Sequence, residues 1–127
     1  MGYTQLVIDP TEVPCETHEA FMNWYNSDFD QQPTVASPSE CTAAIAAFYN
    51  EITTSMPDLN GPGFDEDDED DAAEYDLRAT SVYLECSWMP GAQELAPALA
   101  LKHHLAYVDI SADSTIYLPD GTTLHPN

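Results

Sequence analysis

Cysteine, histidine and acidic side chains are the residues of this chain that could take part in chemistry, but their spacing fits no reactive site well. Cys15 and His18 have the C-x-x-H spacing of half a zinc site, yet no second such motif completes it. His103 and His104 are adjacent, so on a helix they point about 100° apart and do not chelate one ion together. We interpret them as the C-terminal residues of a helix, where the macrodipole favours positive charge.

A calcium loop and nucleophilic catalysis fail similar tests. An EF-hand loop that started at Asp65 would have Asp70 where glycine is needed and Asp76 where glutamate is needed. Cys86 and His103 would suit a nucleophile and its base, but neither lies in a recognisable nucleophile motif, and the chain has no glycine-rich phosphate loop. We therefore predict a protein that is not an enzyme, with no catalytic residue, no metal and no cofactor.

The balance of charge is the strongest signal in the sequence. The chain carries 23 acidic residues against two permanent cations, Arg78 and Lys102, and its net charge is −21. Such a field attracts basic proteins and raises their encounter rate, whereas two cations hold nucleic acid or an anionic membrane poorly. Nine of the acids lie between Asp65 and Asp76, and the other 14 are distributed along the chain. The negative field therefore belongs to the whole protein.

A continuous acidic run is the predicted binding element. Residues 65–71 are all acidic, and such a block repels itself, so we predict an acidic loop at about 64–75 that docks on a basic protein. Aromatic neighbours would serve as anchors. A solvated insertion is the alternative interpretation of this run. The predicted partner-binding residues are Phe64, Asp65, Glu66, Asp67, Asp68, Glu69, Asp70, Asp71, Glu74 and Tyr75.

The elements that position these residues follow from hydrophobic periodicity and turn signals. Strands are predicted at 3–9, 76–88, 105–111 and 115–118, and helices at 15–27, 37–55 and 91–104. Ser37 and Glu40 have the spacing of a capping box at the start of the second helix. The order β-α-α-loop-β-α-β-β predicts an α+β fold, in which three helices pack on a roughly four-stranded mixed sheet. A chain of 127 residues predicts a single domain, 1–127.

The compartment is predicted from what the chain lacks. The three cysteines, Cys15, Cys41 and Cys86, are widely spaced and odd in number, which favours reduced thiols, although pairing of two of them stays open. No signal-peptide pattern and no apolar run long enough to span a membrane is present. We therefore predict a cytoplasmic protein with no membrane partner.

Several segments together carry a resemblance that covers most of the chain. They are Trp24-Tyr25, Met56 to Pro62, Tyr75 to Leu77, Val82 to Trp88, Lys102 to His104 and Val108 to Ser111. In these segments the chain resembles a family of small acidic bacterial proteins, some of which are similar to immunity proteins encoded beside polymorphic or contact-dependent toxins. The resemblance implies a cytosolic α+β domain that neutralises a toxin by binding it.

These observations lead to one main hypothesis and two alternatives. The main hypothesis is a non-catalytic inhibitor or immunity-type protein that binds and occludes a basic partner protein, such as a toxin nuclease. One alternative is a nucleic-acid mimic that binds a DNA- or RNA-binding protein, without binding nucleic acid itself. The other is an ordinary salt-adapted domain, in which the acids serve solubility in concentrated salt.

Overall fold

A computed structural model describes residues 3–31, 33–35, 37–56, 73–86, 92–110 and 114–125. In these ranges the α-helices are α1 (His18–Ser27), α2 (Ala43–Ser55) and α3 (Ala92–Lys102). The strands are β1 (Tyr3–Ile8), β2 (Ala73–Leu77), β3 (Ser81–Cys86), β4 (Ala106–Val108), β5 (Ile116–Tyr117) and β6 (Thr123–Leu124). None of the helices in these ranges has the length and apolar character required to cross a membrane.

The strands form one open sheet in the order β2-β3-β1-β4-β5-β6, and every neighbouring pair is antiparallel. The predicted α+β class with three helices is confirmed, but the predicted mixed sheet of roughly four strands is wrong in detail. The long strand predicted at 76–88 is a hairpin, because the chain turns at Ala79 and Thr80 and the Arg78 N–H donates to the Ser81 carbonyl, 2.9 Å away. β2 also begins inside the predicted acidic loop, at Ala73.

A sixth strand arises from a second turn. The Gly121 backbone has φ of 92°, a left-handed conformation that glycine adopts without steric cost, and the Leu118 N–H donates to the Thr122 carbonyl at 2.8 Å. This turn folds the residues after it back as β6.

Helices cover both faces of the sheet. On the central strand β1, Val7 faces a core that contains α2 and α3, whereas Leu6 and Ile8 face a core that contains α1. All three residues are fully buried, as expected for a strand with a helix layer on each side. The residues buried from α2 are Ile45, Phe48 and Ile52, which lie on one face of the helix.

The helix starts differ from the predictions because hydrogen bonds at the caps fix them, one through a tertiary contact and one locally. Ser37 caps only a short 3-10 turn at Pro38–Glu40, and the N-cap of α2 is Thr42. The Thr42 N–H donates to the Ala79 carbonyl at 2.9 Å, which holds this point of the chain against the β2–β3 turn. Likewise α1 begins at His18 rather than at 15, because the Thr17 hydroxyl accepts the Ala20 N–H at 3.0 Å.

The last turn of α3 explains the adjacent histidines. α3 ends at Lys102, and the His104 backbone then has φ of 60°, the left-handed conformation common after a helix. The Leu105 N–H donates to the Ala100 carbonyl at 2.8 Å, as in a Schellman motif. The two histidines therefore follow the helix, where the prediction had placed them inside it.

Residues 33–35 partly cover the outer edge of β2. Thr34 forms an isolated antiparallel bridge with Arg78, and the Val35 N–H donates to the Leu77 carbonyl at 2.9 Å. At the other edge of the sheet, β6 is only two residues long.

Candidate protein-binding surface

Only two of the predicted partner-binding residues, Glu74 and Tyr75, lie in the described part of the chain; Phe64 and the acids of 65–71 lie outside it. Glu74 is exposed on β2, whereas Tyr75 points to the opposite face of the sheet and is 8% exposed. Its hydroxyl donates to the Met56 carbonyl at 2.8 Å and its ring packs edge-on against Tyr49, 5.5 Å between centroids. Tyr75 is thus a core residue, which corrects the prediction that its ring meets a partner.

Glu74 has an acidic neighbour that is not among the predicted partner-binding residues. In the β2–β3 register Glu74 lies directly opposite Glu85, and both side chains are exposed. Residues in such positions have Cβ atoms about 5 Å apart, and like charges there destabilise the sheet. No ion pair in the described ranges includes either carboxylate. We call Glu74 and Glu85 the acidic pair.

A third acid of the hairpin, Asp76, differs from the acidic pair because it is already bound to a cation. Its carboxylate accepts hydrogen bonds from Arg78 Nη2 at 3.0 Å and Arg78 Nε at 3.5 Å. Arg78 also donates through Nη1 to the Phe29 carbonyl, and its guanidinium carbon lies 4.1 Å from the centroid of the Phe29 ring. The Arg78 side chain is 11% exposed, so this cation is engaged inside the fold.

The second permanent cation is also paired, on the other side of the sheet. Lys102 Nζ lies 2.7 Å from Glu51 Oε2, and His103 Nε2 lies 2.8 Å from Glu51 Oε1. Hydrogen bonds from Lys102 and His103 lower the pKa of Glu51. This network joins α2 to α3, on the opposite face of the sheet from the acidic pair. Lys102 therefore does not neutralise the charge of Glu74 or Glu85.

Helix α1 shares the face of the sheet on which the acidic pair lies. It starts near β5, where His18 Nε2 donates to the Ser114 carbonyl at 2.9 Å. It ends near β3, since the ring of Phe29, two residues after the helix, lies 5.9 Å from the ring of Tyr83. Its solvent-facing residues are polar or acidic: Glu19, Asn23, Asn26, Ser27 and the C-cap Asp28. The exposed surface of α1 and the acidic pair together form a negative surface on one side of the molecule.

The thiols are poorly placed for nucleophilic chemistry. Cys15 and Cys41 are free and half-buried, and they pack in cores on opposite faces of the sheet, so they do not pair with each other. Burial raises the pKa of the Cys15 thiol, and Glu16 adds to the effect; burial together with Glu40 does the same for Cys41. Both thiols are therefore weaker nucleophiles at neutral pH than an ordinary cysteine.

Metal-binding groups and a surface cleft are the remaining chemical features of the described residues. The described residues contain no group of three or more His, Cys, Asp or Glu side chains suited to a metal ion. An open cleft of about 360 Å³ lies between the start of α1 and β6, with Glu16, His18, Glu19 and His125 among its lining residues. The cleft lies at the opposite end of α1 from the acidic pair.

The sequence contained part of the signal for Glu85. The alternation in 77–85 places Glu85 on the less apolar side of the strand, together with Tyr83. Its pairing with Glu74 depends on the turn at Ala79 and Thr80, two residues that lie within the strand predicted at 76–88. Comparison of the chain with protein-family models, with curated proteins and with solved structures finds no match in any of the three.

Proposed function

We propose that this protein is a non-catalytic inhibitor of the immunity type, which binds a basic protein and covers its working face. The acidic pair carries the proposal: Glu74 and Glu85 are opposed and exposed, and both permanent cations of the chain are engaged elsewhere. Opposed carboxylates cost stability in the free protein. A lysine or arginine of a partner placed between them would remove that cost and gain two charge-assisted hydrogen bonds.

The distribution of charge supports binding on the α1 side. A net charge of −21 steers a basic protein toward the molecule from a distance, and uncompensated carboxylates then determine which side it meets. On the α2–α3 side, Lys102 lies beside Glu51 and reduces the local field. The acidic run at 65–71 ends two residues before β2 in the sequence and contributes seven of the negative charges that attract a basic protein.

A toxin nuclease suits the proposal because its active site must be basic to hold nucleic acid. The nucleic-acid mimic is a second candidate, and one observation favours it. The exposed positions of α1 are polar or acidic, and its aromatic side chains, Phe21, Trp24 and Tyr25, are buried or half-buried. Charge would then dominate the interaction, as it does when a protein binds a phosphate backbone.

The test is inhibition of an identified partner. Basic proteins would be captured from native cytosol at low salt, purified, and assayed for nuclease activity with increasing amounts of this protein. We expect stoichiometric inhibition, weakened by the double variant Glu74→Lys/Glu85→Lys. The matched control, Glu12→Lys/Glu94→Lys, makes the same change in net charge at exposed sites away from the acidic pair and should keep most of the inhibition.

Each outcome separates the hypotheses. A captured partner that binds DNA or RNA but has no nuclease activity, and is released by a competing oligonucleotide, favours the mimic. A thermal midpoint that keeps rising to molar potassium chloride, with no basic partner at physiological salt, favours the salt-adapted domain. Turnover of a small metabolite by the purified protein would refute the inhibitor and the mimic.

A further inference from the structure

Three aromatic side chains connect the end of α1 to β3 on the α1 side of the sheet. The ring centroid of Phe29 lies 5.1 Å from that of Tyr25 and 5.9 Å from that of Tyr83. Phe29 is buried, whereas Tyr25 and Tyr83 are half-buried at the rim of the α1 core. We call Tyr25, Phe29 and Tyr83 the aromatic row, and both of its ends are in contact with solvent.

Exposed carboxylates flank both ends of the aromatic row. Asp28, the C-cap of α1, immediately precedes Phe29, and its side chain is exposed. Glu85 lies two residues after Tyr83, so both side chains project from the same face of β3. A cation that binds Glu85 therefore lies next to the side chain of Tyr83.

The fold already binds one guanidinium between a ring and a carboxylate. The guanidinium carbon of Arg78 lies 4.1 Å from the centroid of the Phe29 ring, and Arg78 Nη2 lies 3.0 Å from Asp76 Oδ2. A guanidinium gains twice from such a site, because its flat face packs on the ring while its N–H groups donate to the carboxylate. An ammonium forms the ion pair but has no flat face to stack. Arg78 covers Phe29 from inside the protein, whereas Tyr25 and Tyr83 have exposed parts that an external guanidinium can reach.

We propose that Tyr83, at the exposed end of the aromatic row beside Glu85, makes this surface selective for arginine over lysine on the basic partner. This inference rests on the proposed function and specifies it: charge attracts any basic protein, and the ring determines which cation is held. The net charge of −21 and the exposed acids at both ends of the row favour a cation as the occupant of this surface. A partner whose basic surface holds nucleic acid fits, because arginine is the preferred residue for phosphate recognition.

Two peptides of equal charge, hexa-arginine and hexa-lysine, test the selectivity by titration calorimetry at low salt. Carboxylates alone favour arginine to some extent, since a guanidinium binds them through two parallel hydrogen bonds. The quantity to compare among variants is therefore the dissociation constant of hexa-lysine divided by that of hexa-arginine. We expect Tyr83→Leu to reduce this ratio about two- to fivefold, the range for an exposed cation–π contact.

Two control variants separate the ring from other effects. Tyr83→Phe retains the ring and should keep the ratio of the unmodified protein. Tyr117→Leu should also keep it, because Tyr117 is 43% exposed but lies opposite Tyr107, on the α2–α3 side of the sheet. If Tyr83→Leu does not fold, the ring NMR signals of Tyr83 in the unmodified protein provide the second measurement: at equal saturation, hexa-arginine should shift them more than hexa-lysine.

The outcomes distinguish this inference from the proposed function. A ratio that Tyr83→Leu leaves unchanged, a loss in Tyr83→Phe as large as in Tyr83→Leu, or equal ring shifts with the two peptides would overturn the role of Tyr83. Equal binding of both peptides by the unmodified protein would overturn the selectivity and leave the proposed function standing. If neither peptide binds at low salt, the proposed function is refuted as well.

Discussion

Reversal of one charge in the acidic pair should stabilise the fold, which is unusual for a change at a candidate binding residue. Glu74 and Glu85 are cross-strand partners on the exposed side of the hairpin. Two unit charges about 6 Å apart interact by about 0.7 kcal/mol in water. Salt at about 0.1 M reduces this to about 0.4 kcal/mol. We therefore expect Glu85→Gln to stabilise by about 0.4 kcal/mol and Glu85→Lys by about twice that amount.

Urea unfolding at low and high salt measures this effect. With m-values of about 1–3 kcal/mol/M, a gain of about 0.8 kcal/mol moves the midpoint by roughly 0.3–0.8 M urea. Glu12→Lys is the control, because it makes the same change in net charge at an exposed residue of the loop after β1. The double variant Glu74→Gln/Glu85→Gln should gain little beyond either single change, since the repulsion can be removed only once.

Two results would refute the reasoning. The first is a stabilisation by Glu85→Lys no larger than that by Glu12→Lys, which would mean that only net charge matters. The second is a gain that persists unchanged in about 1 M salt, where screening should remove a surface interaction over this distance. If Glu85→Lys both stabilises the fold and weakens inhibition of a partner, then Glu85 lowers the stability of the free protein and contributes to binding.

Three further predictions concern stability at other positions. His104→Gly should stabilise by about 0.5–1 kcal/mol, because the backbone there is left-handed; an unchanged thermal midpoint would contradict this. Burial raises the pKa of Asp9, but hydrogen bonds, including one from Thr11, outweigh the effect of burial, so the pKa is lowered from 3.8. The ionised Asp9 therefore stabilises the fold above pH 3.8. In urea unfolding, the advantage of the wild type over Asp9→Asn should shrink as the pH falls below 3.8. Tyr75→Phe should destabilise by about 1–2 kcal/mol in urea, because the Met56 carbonyl loses its donor, and should leave partner inhibition intact.

Local patterns were sufficient to predict the three helices. Ile45, Phe48 and Ile52 have the spacing of one helix face and form the buried stripe of α2, and Trp24 on α1 is buried as an amphipathic pattern indicates. The start of α2 was misplaced because the Thr42 N–H has a partner in the β2–β3 turn, a contact between residues 37 positions apart. A capping motif read from sequence contains no information about such a contact.

The β2–β3 hairpin was harder to predict because its turn has no strong signature in the sequence. Ala79 and Thr80 are not typical turn residues, so nothing in the sequence divided β2 from β3. The acidic pair could not be predicted for the same reason, because its two members face each other only across this turn. Glu74 was identified from its neighbours in sequence, whereas Glu85 became its partner only once the hairpin register was known, and Tyr75 moved into the core by the same alternation.

The edges of the sheet have a consequence for self-association. An open antiparallel sheet can recruit strands from other molecules and aggregate through its terminal strands. Here Thr34 and Val35 occupy part of the outer edge of β2, and β6 is too short to template a long ladder. A concentrated solution of this protein should therefore resist fibril formation even when salt has screened the repulsion between its molecules.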